Sequence, residues 1–97
     1  MYAVIILEEA HEDLINIVAH LSLDNAGAAE KLGNELLDLA ESLETMPYRG
    51  SSVKNMPRLR KLIHGNYLIY YRIKDEERVV EVVSFVHGAQ IRRKRTS

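Results

Sequence analysis

The sequence predicts an α+β domain of two layers, in which an N-terminal strand, an αα-hairpin and a three-stranded antiparallel meander follow one another (β-αα-βββ). Three observations lead to this class. An apolar, largely β-branched run comes first, at Tyr2–Leu7. Two stretches with apolar residues at intervals of three and four follow, as in amphipathic helices. Three strand-like runs then fill residues 58–88, RLRKLIHGNYLIYYRIKDEERVVEVVSFVHG.

The first strand, Tyr2–Leu7, is apolar at nearly every position. Such a run is typical of a strand that is buried on both faces, so we expect it in a central or covered place in the sheet. Two helices separate it from the meander along the chain. We therefore expect it to join the meander as a fourth strand, with both helices packed over one face.

Each predicted helix has one apolar face, which the sheet is expected to bury. Acidic residues occupy the first turns of the first helix, where they complement the positive end of its dipole. Asp24 and Asn25 then interrupt the pattern and can cap the second helix, which Pro47 ends. The apolar positions are Ala10, Leu14, Ile17, Val18 and Leu21, followed by Ala29, Leu32, Leu36, Leu39, Ala40 and Leu43.

Within the meander, Gly65 and Asn66 predict a tight hairpin. The segment before the meander, 47–57, is expected to be a loop. The last strand is apolar on both alternations, whereas two helices can cover only one face of the sheet. The other face is then partly bare and suited to another chain, unless loop 47–57 folds over it. Strict alternation gives one face as Val79, Glu81, Val83, Phe85 and His87, and the other as Val80, Val82, Ser84 and Val86.

The composition limits the function classes. Ninety-seven residues predict one domain, 1–97, with a basic C-terminal tail at about 89–97. The absence of cysteine excludes disulfides, cysteine-ligated zinc and thiol catalysis. No apolar run reaches the roughly 20 residues of a membrane span and no signal peptide is recognisable, so a cytosolic location is expected. We predict no cofactor and no metal, since His11 and His20 are nine residues apart and no other metal-ligand spacing is present.

The formal net charge of −1 conceals a division between the two halves of the chain. Residues 1–46 contain ten acids and one base, a net charge of −9, whereas residues 47–97 contain twelve bases and four acids, a net charge of +8. A basic half of this kind suits an anionic partner, either nucleic acid or an acidic protein segment. The alternative is that the two halves attract one another within the fold.

Basic and aromatic side chains mark the meander and the tail as the candidate binding surface. Arginine and lysine suit phosphate contacts, and tyrosine suits base stacking. Packing within the sheet is nevertheless the stronger expectation for Tyr70 and Tyr71. The residues assigned to target or nucleic-acid binding are Arg58, Arg60, Lys61, Tyr71, Arg72, His87, Arg92, Arg93, Lys94 and Arg95.

A metal-independent ribonuclease would need a base, an acid and a cation beside the phosphorane. In that interpretation the catalytic residues are Arg60, Tyr67 and His87, with His87 as acid or base and Arg60 stabilising charge. Glu81 is the carboxylate within a predicted strand, and it lies roughly 20 Å along that strand from His87, so no carboxylate–histidine pair is predicted. No motif by itself identifies the chain as an enzyme.

Four groups of positions follow one another along this β-αα-βββ order. They are Leu7, Ala10, Asp13, Leu14 and Ile17; Leu43, Pro47 and Gly50; Arg60, Leu62, Gly65, Tyr67, Ile69, Tyr71, Arg72 and Ile73; and Val83, Val86, His87 and Gly88. This ordered set resembles the RelE/ParE superfamily of bacterial toxins, over nearly the whole chain. The resemblance implies the toxin of a type II toxin–antitoxin system, wrapped by a cognate antitoxin protein that would cover a bare sheet face.

The superfamily has two branches with different targets. RelE-like members cleave messenger RNA on the ribosome, using Arg, Lys, Tyr or His residues of the sheet, whereas ParE-like members inhibit DNA gyrase. Tyr67 stands where the ribonucleases carry a catalytic Arg, and the segment from His87 to Gln90 is more similar to the ParE-like ending. The sequence therefore resembles a ParE-like gyrase inhibitor. A ribosome-dependent mRNA endoribonuclease and a non-toxic interaction paralogue are the alternatives.

Overall fold

The computed structural model describes residues 1–88. The elements are β1 Ala3–Ile6, α1 Glu8–Ser22, α2 Ala26–Glu41, a 3₁₀ turn at Ser42–Glu44, β2 Ser51–Val53, β3 Met56–His64, β4 Tyr67–Lys74 and β5 Val79–His87. The strands form a mixed sheet in the order β1-β5-β4-β3-β2, and the helical hairpin packs against one face of it. The predicted α+β class and its two layers are confirmed, with one strand more than expected.

Local sequence explains where the helices begin and which faces they bury. Glu8 and Glu9 occupy the first turn of α1, as expected from the helix dipole. Asn25 caps α2, because its side-chain oxygen accepts a hydrogen bond from the Ala28 amide at 3.0 Å. The buried helical residues belong to the predicted apolar stripes, apart from the close-packed Gly33. They are Ala10 and Leu14 of α1 and Ala29, Gly33, Leu36 and Ala40 of α2.

Strands β3 and β4 form the hairpin predicted at Gly65 and Asn66. The φ angle of Gly65 is +59°, whereas Asn66 is not among the residues with positive φ. A positive φ at the first loop residue alone indicates a type II′ turn, because a type I′ turn requires it at both. The resulting register places Leu62 opposite Ile69, and Ile69 opposite Phe85. These three buried side chains form a row across the sheet beneath the helices.

Strand β1 lies at an edge of the sheet, so the expectation that Tyr2–Leu7 is buried on both faces is wrong. Among the strands of residues 1–88, it pairs only with β5, in parallel. Val4 and Ile6 pack against the core, whereas Ile5 on the other face is 45% exposed. The helical hairpin supplies the crossover that a parallel pair requires.

Segment 47–57, expected to be a loop, contains the additional strand β2 beside β3. The residues before β2 are held by Tyr71, which is fully buried beneath the helices. Its hydroxyl donates to the Pro47 carbonyl oxygen at 2.8 Å and accepts from the Gly50 amide at 3.0 Å. This part of the chain therefore lies on the helix-packed side and does not fold over the other face.

A β-bulge interrupts β5 at Val83. Tyr70 and Tyr71 are adjacent in β4, but they lie opposite Ser84 and Val82, which leaves Val83 without a partner. One extra residue reverses the alternation of side chains beyond it. The two faces predicted for β5 by strict alternation are therefore wrong past the bulge.

Beyond the bulge, Phe85 shares the helix-packed face with Val80 and Val82, and all three are buried. Asp13 of α1 stabilises this arrangement from the edge that β1 leaves uncovered. Its Oδ2 accepts hydrogen bonds from Ser84 Oγ at 2.9 Å and from the Phe85 amide at 3.3 Å. A helical carboxylate thus satisfies a strand amide that no strand within the described part of the chain pairs on that side.

A carboxylate in the turn after β4 joins three distant segments. Asp75 accepts hydrogen bonds from the hydroxyl of Tyr2 at 2.7 Å and from the hydroxyl of Tyr48. These bonds lower the pKa of Asp75 and raise the pKa of both tyrosines, because each bond favours the carboxylate paired with the neutral phenol. We call these three residues the Asp75 clasp. It ties the start of β1 and the loop before β2 to the β4–β5 turn.

Gly50 is predicted to tolerate no side chain. A Cβ there would lie 2.5 Å from both the Lys61 carbonyl oxygen and the Tyr71 hydroxyl. We expect Gly50→Ala to lower the free energy of unfolding by about 1–3 kcal/mol in urea denaturation. Gly27→Ala is the control, because only Asn25 Oδ1 lies near, at 3.5 Å; it should be neutral or stabilising by up to about 1 kcal/mol. Equal effects of the two substitutions would contradict this close approach.

The Asp75 clasp is predicted to stabilise the protein most at intermediate pH. A lowered carboxyl pKa adds stability that is lost as the pH falls below the ordinary value of 3.8. Raised tyrosine pKa values add stability that is lost as the pH rises above the ordinary value of 10.0. The difference in Tm between the unaltered protein and Asp75→Ala should therefore be largest near neutral pH and shrink at both extremes. Glu76→Ala, an exposed neighbour, is the control, and a pH-independent difference for Asp75→Ala would argue against the clasp.

Candidate functional site

The face of the sheet away from the helices carries apolar side chains that no helix within residues 1–88 covers. Ile63, Leu68 and Val86 are cross-strand neighbours on this face, and Tyr70 lies beside them. Ile63 is 64% exposed, and the other three are half-buried. We call these four residues the open face. Neighbouring apolar side chains left exposed in this way are typical of surfaces that bind another molecule.

Two of the predicted binding residues border the open face. Lys61 lies opposite Tyr70, and Arg72 follows Tyr70 by two positions. Arg72 Nε donates to Glu81 Oε1 at 2.6 Å, and Lys74 Nζ is 3.6 Å from Glu81 Oε2. The hydrogen bond from Arg72 holds the pKa of the Glu81 carboxyl below its ordinary value. Arg72 is therefore one half of an ion pair rather than an uncompensated cation.

Three ring side chains stand in a row at the end of the sheet nearest the β3–β4 turn. His64 lies opposite Tyr67, and Tyr67 lies opposite His87. The Tyr67 and His87 rings stack with their centroids 4.8 Å apart. Glu35 of α2 reaches the other end of the row, where its Oε1 is 3.3 Å from His64 Nε2. We call these four residues the histidine row.

The contact between Glu35 and His64 corrects the expectation that no carboxylate–histidine pair exists. It was missed because the two residues are 29 positions apart and come from different layers. Glu35 follows Leu32 of the predicted apolar stripe by three positions and therefore lies on the same side of α2. That spacing is the feature of the sequence that indicates that Glu35 borders the sheet. A carboxylate beside one imidazole, with a second imidazole two strands away, can orient a ring and exchange protons.

Arg60 does not join the histidine row. Its guanidinium donates to the carbonyl oxygens of Tyr48, at 3.2 Å, and of Gly50, and it lies 5.2 Å from the centre of the Tyr48 ring. It is four residues before the end of β3, a distance of about 13 Å along a strand. The structure thus brings together Tyr67 and His87 of the predicted ribonuclease set, but not Arg60.

The remaining members of the predicted binding set fall in three places. Tyr71 is 0% exposed, and its hydroxyl bonds within the fold. It is a core residue, so its assignment as a contact for a partner is corrected. Arg58 is exposed in the first half of β3. The basic tail residues lie outside the described part of the chain; they are Arg92, Arg93, Lys94 and Arg95.

Within 1–88, no group of three His, Asp or Glu side chains is arranged to hold a metal ion. None of the helices described is long and apolar enough to cross a membrane.

Solved structures share this fold. A chain of the chromosomal ParDE system from P. aeruginosa is 18% identical with a TM-score of 0.76, over 90% of this chain and 96% of that one. A chain of the toxin–antitoxin complex RelBE2 from Mycobacterium tuberculosis is 21% identical with a TM-score of 0.71, over 89% and 96%. The isolated RelE toxin from E. coli is 21% identical with a TM-score of 0.60, over the whole of both chains. At sequence identities this low, the similarity to these structures establishes a shared fold and nothing more.

The sequence itself places the chain within a family. No curated protein matches it closely enough to count as a relative. The model of the ParE toxin of the type II toxin–antitoxin system, parDE, matches residues 4–92, which include every strand and both helices except the first residue of β1. The expected membership of the RelE/ParE superfamily is thereby confirmed, and the chain belongs to the ParE toxin family of type II toxin–antitoxin systems.

Proposed function

We propose that this protein is a toxin that acts in the cytosol by inhibiting DNA gyrase and is neutralised by a cognate antitoxin. The observation that carries the proposal is the match to the ParE toxin model over residues 4–92. The fold likeness to a chain of a ParDE system, with a TM-score of 0.76, agrees with it. In this proposal the protein works by binding rather than by catalysis.

The position of Arg60 favours binding over catalysis. Its guanidinium is engaged with the carbonyl oxygens of Tyr48 and Gly50, away from the histidine row. Tyr67 also occupies the place where the ribonucleases of the superfamily carry a catalytic Arg. A ribonuclease would need a cation beside the reacting phosphate, and neither residue supplies one to the histidine row.

The open face is the proposed seat of the antitoxin. Its apolar side chains are exposed or half-buried, and its borders carry Lys61 and Arg72. Such a surface, apolar within and charged at its rim, is typical of protein–protein interfaces. Two of the structural neighbours are chains of toxin–antitoxin complexes, RelBE2 and the E. coli RelBE complex, which supports a partner of this kind.

The histidine row supports a second candidate, a ribosome-dependent mRNA endoribonuclease independent of metal. Glu35 can orient His64, and His87 can serve as the second proton-transfer group. The stacked rings of Tyr67 and His87 suit contact with a nucleobase. A third candidate is a non-toxic paralogue, which would keep the open face and bind a partner without harming the cell.

Induced expression in a bacterial host is expected to separate these candidates. A gyrase inhibitor should cause filamentation, a DNA damage response and covalently trapped, cleaved DNA. Transcripts cut at codon boundaries with immediate arrest of translation would instead establish the ribonuclease. Normal growth at an expression level confirmed by immunoblot would favour the non-toxic paralogue. Co-expression of a cognate antitoxin is the control, and it should restore growth.

The His64→Ala variant tests the ribonuclease candidate directly. Loss of a proton-transfer group should lower RNA cleavage by about 10²-fold or more, whereas gyrase inhibition should change less than about twofold, because inhibition by binding needs no proton-transfer group. Supercoiling by purified gyrase and cleavage of ribosome-bound mRNA are the two measurements. His20→Ala on the exposed side of α1 is the matched control. A large loss of gyrase inhibition in His64→Ala alone would contradict the proposal.

A further inference from the structure

Within residues 1–88, the two edges of the sheet differ in how well they are protected against a further strand. Strand β2 at one edge contains Ser51 and Ser52, is irregular between Ser52 and Val53, and is followed by Lys54. A short, polar, irregular strand beside a lysine resists pairing with another chain. Strand β1 at the other edge, AVII, keeps an unbroken register with β5 and contains neither a charged residue nor a proline. The β1 edge therefore lacks the protection that the β2 edge has.

The hydrogen bonds of β1 show which of its backbone groups point away from β5. The amides of Ala3 and Leu7 donate to carbonyl oxygens on the β5 side, at 2.9 and 3.1 Å. Because alternate residues of a strand bond the same neighbour, the N–H and C=O groups of Val4 and Ile6 point the other way. Among the described residues no strand lies there. Such an edge accepts main-chain hydrogen bonds from an added strand.

The β1 edge is complementary to a second copy of itself. If two copies of β1 run antiparallel with Ile5 opposite its own symmetry mate, Val4 of each copy faces Ile6 of the other. All of their outward N–H and C=O groups are then paired. Registers centred on Val4 or on Ile6 would lose some of these bonds. The Tyr2 amide already donates to the 3₁₀ turn at 2.9 Å, and Glu8 belongs to α1, so neither can extend the pairing.

The side chains on the exposed face of β1 suit this register. Ala3, Ile5 and Leu7 alternate with the residues that pack against the core, so they share the face away from the helices. Ile5 is 45% exposed there. In the antiparallel pair, Ile5 meets its symmetry mate, and Ala3 meets Leu7 of the other copy. Apolar cross-strand neighbours of this kind stabilise a sheet.

Opposite charges meet at both ends of the paired strands. Glu8 of one copy comes opposite Tyr2 of the other, and the Arg78 guanidinium lies 5.6 Å from the centre of the Tyr2 ring. Glu8 and Arg78 are exposed, and neither forms an ion pair within residues 1–88. Glu44, whose carbonyl oxygen accepts from the Tyr2 amide, would repel Glu8 of the other copy. Arg78 is therefore the group that makes this end of the edge attractive to Glu8.

We propose that a second copy of this chain binds at the β1 edge, forming a two-fold symmetric dimer with one continuous sheet. Because cross-strand partners project from the same face of a sheet, the open faces of the two copies lie on the same side and stay uncovered. The interface is small, so the dimer is weak, with a Kd on the order of 10–100 µM. It forms whether the target of the protein is gyrase or the ribosome, and so goes beyond the proposed function.

Sedimentation equilibrium of the full-length protein, over concentrations that span the expected Kd, measures this dimer. Ile5→Lys should raise the dimer Kd at least about tenfold, because it sets two like charges face to face at the symmetry axis. Ile63→Lys is the matched control, since Ile63 is 64% exposed on the same face but lies in β3, away from the edge. It should change Kd less than about twofold. Equal effects of the two substitutions, or an unaltered protein that stays monomeric throughout, would overturn the proposal.

Glu8→Arg and Arg78→Glu test the antiparallel arrangement. Each variant alone should dimerise at least about tenfold more weakly, because like charges then meet at both ends of the interface. In an equimolar mixture of the two variants, opposite charges meet again at both ends. A mixed dimer with a Kd within about twofold of that of the unaltered protein should therefore form. A mixture that remains as weakly associated as its components would rule this arrangement out.

Hydrogen exchange measured by NMR identifies what occupies the edge. Exchange at the amides of Val4 and Ile6 should slow as the protein concentration rises, whereas the amide of Ile5, which faces β5, is the internal control and should not change. Slow exchange at every concentration would assign the edge to another segment of the same chain. Slow exchange only after a cognate antitoxin is added would assign it to the antitoxin. Either result would overturn the dimer, as would fast exchange under all conditions.

Discussion

The buried hydroxyl of Tyr71 holds the loop before β2 against the sheet. Tyr71 is the largest fully buried side chain and lies in the middle strand of the sheet. Its hydroxyl bonds the Pro47 carbonyl and the Gly50 amide, so the polar group inside the core is satisfied. Leaving it unpaired would cost about 1–3 kcal/mol, so the loop stays docked while the sheet is formed. The docked loop then presents the carbonyl oxygens that hold Arg60 and places the Tyr48 ring beside the Arg60 guanidinium.

The division of charge along the sequence becomes a division between layers. The acidic half forms the two helices, and the basic half forms four of the five strands. Direct attraction between the halves is slight, because Glu35–His64 is the one ion pair that joins them in residues 1–88. The strand bases are therefore mostly compensated by acids of their own half, as Arg72 is by Glu81, or directed to solvent. A helical layer that covers one side only leaves the other side of the sheet, and its bases, to a partner.

The features that could be predicted from the sequence are encoded by neighbouring residues. Gly65 supplies the positive φ of its turn. Asn25 caps α2 by accepting a hydrogen bond from the amide of Ala28, three positions later. The bulge at Val83 and the pairing of Glu35 with His64 depend on residues far apart in the chain, so no local pattern encodes them. The edge position of β1 was missed for a related reason. An apolar run reveals that a strand is hydrophobic, but not whether a second strand lies beyond it.

The parallel pairing of β1 with β5 delays completion of the sheet during synthesis. Residues 3–6 of β1 cannot pair until residues 79–82 of β5 have been synthesised. Every other element lies between these two strands in the sequence. Contacts between residues so distant form only after the closure entropy of the intervening chain has been overcome. The helices can form early, whereas the open face requires β4 to be flanked by β5. A nascent chain that has not yet reached β5 therefore lacks the complete sheet on which the open face depends.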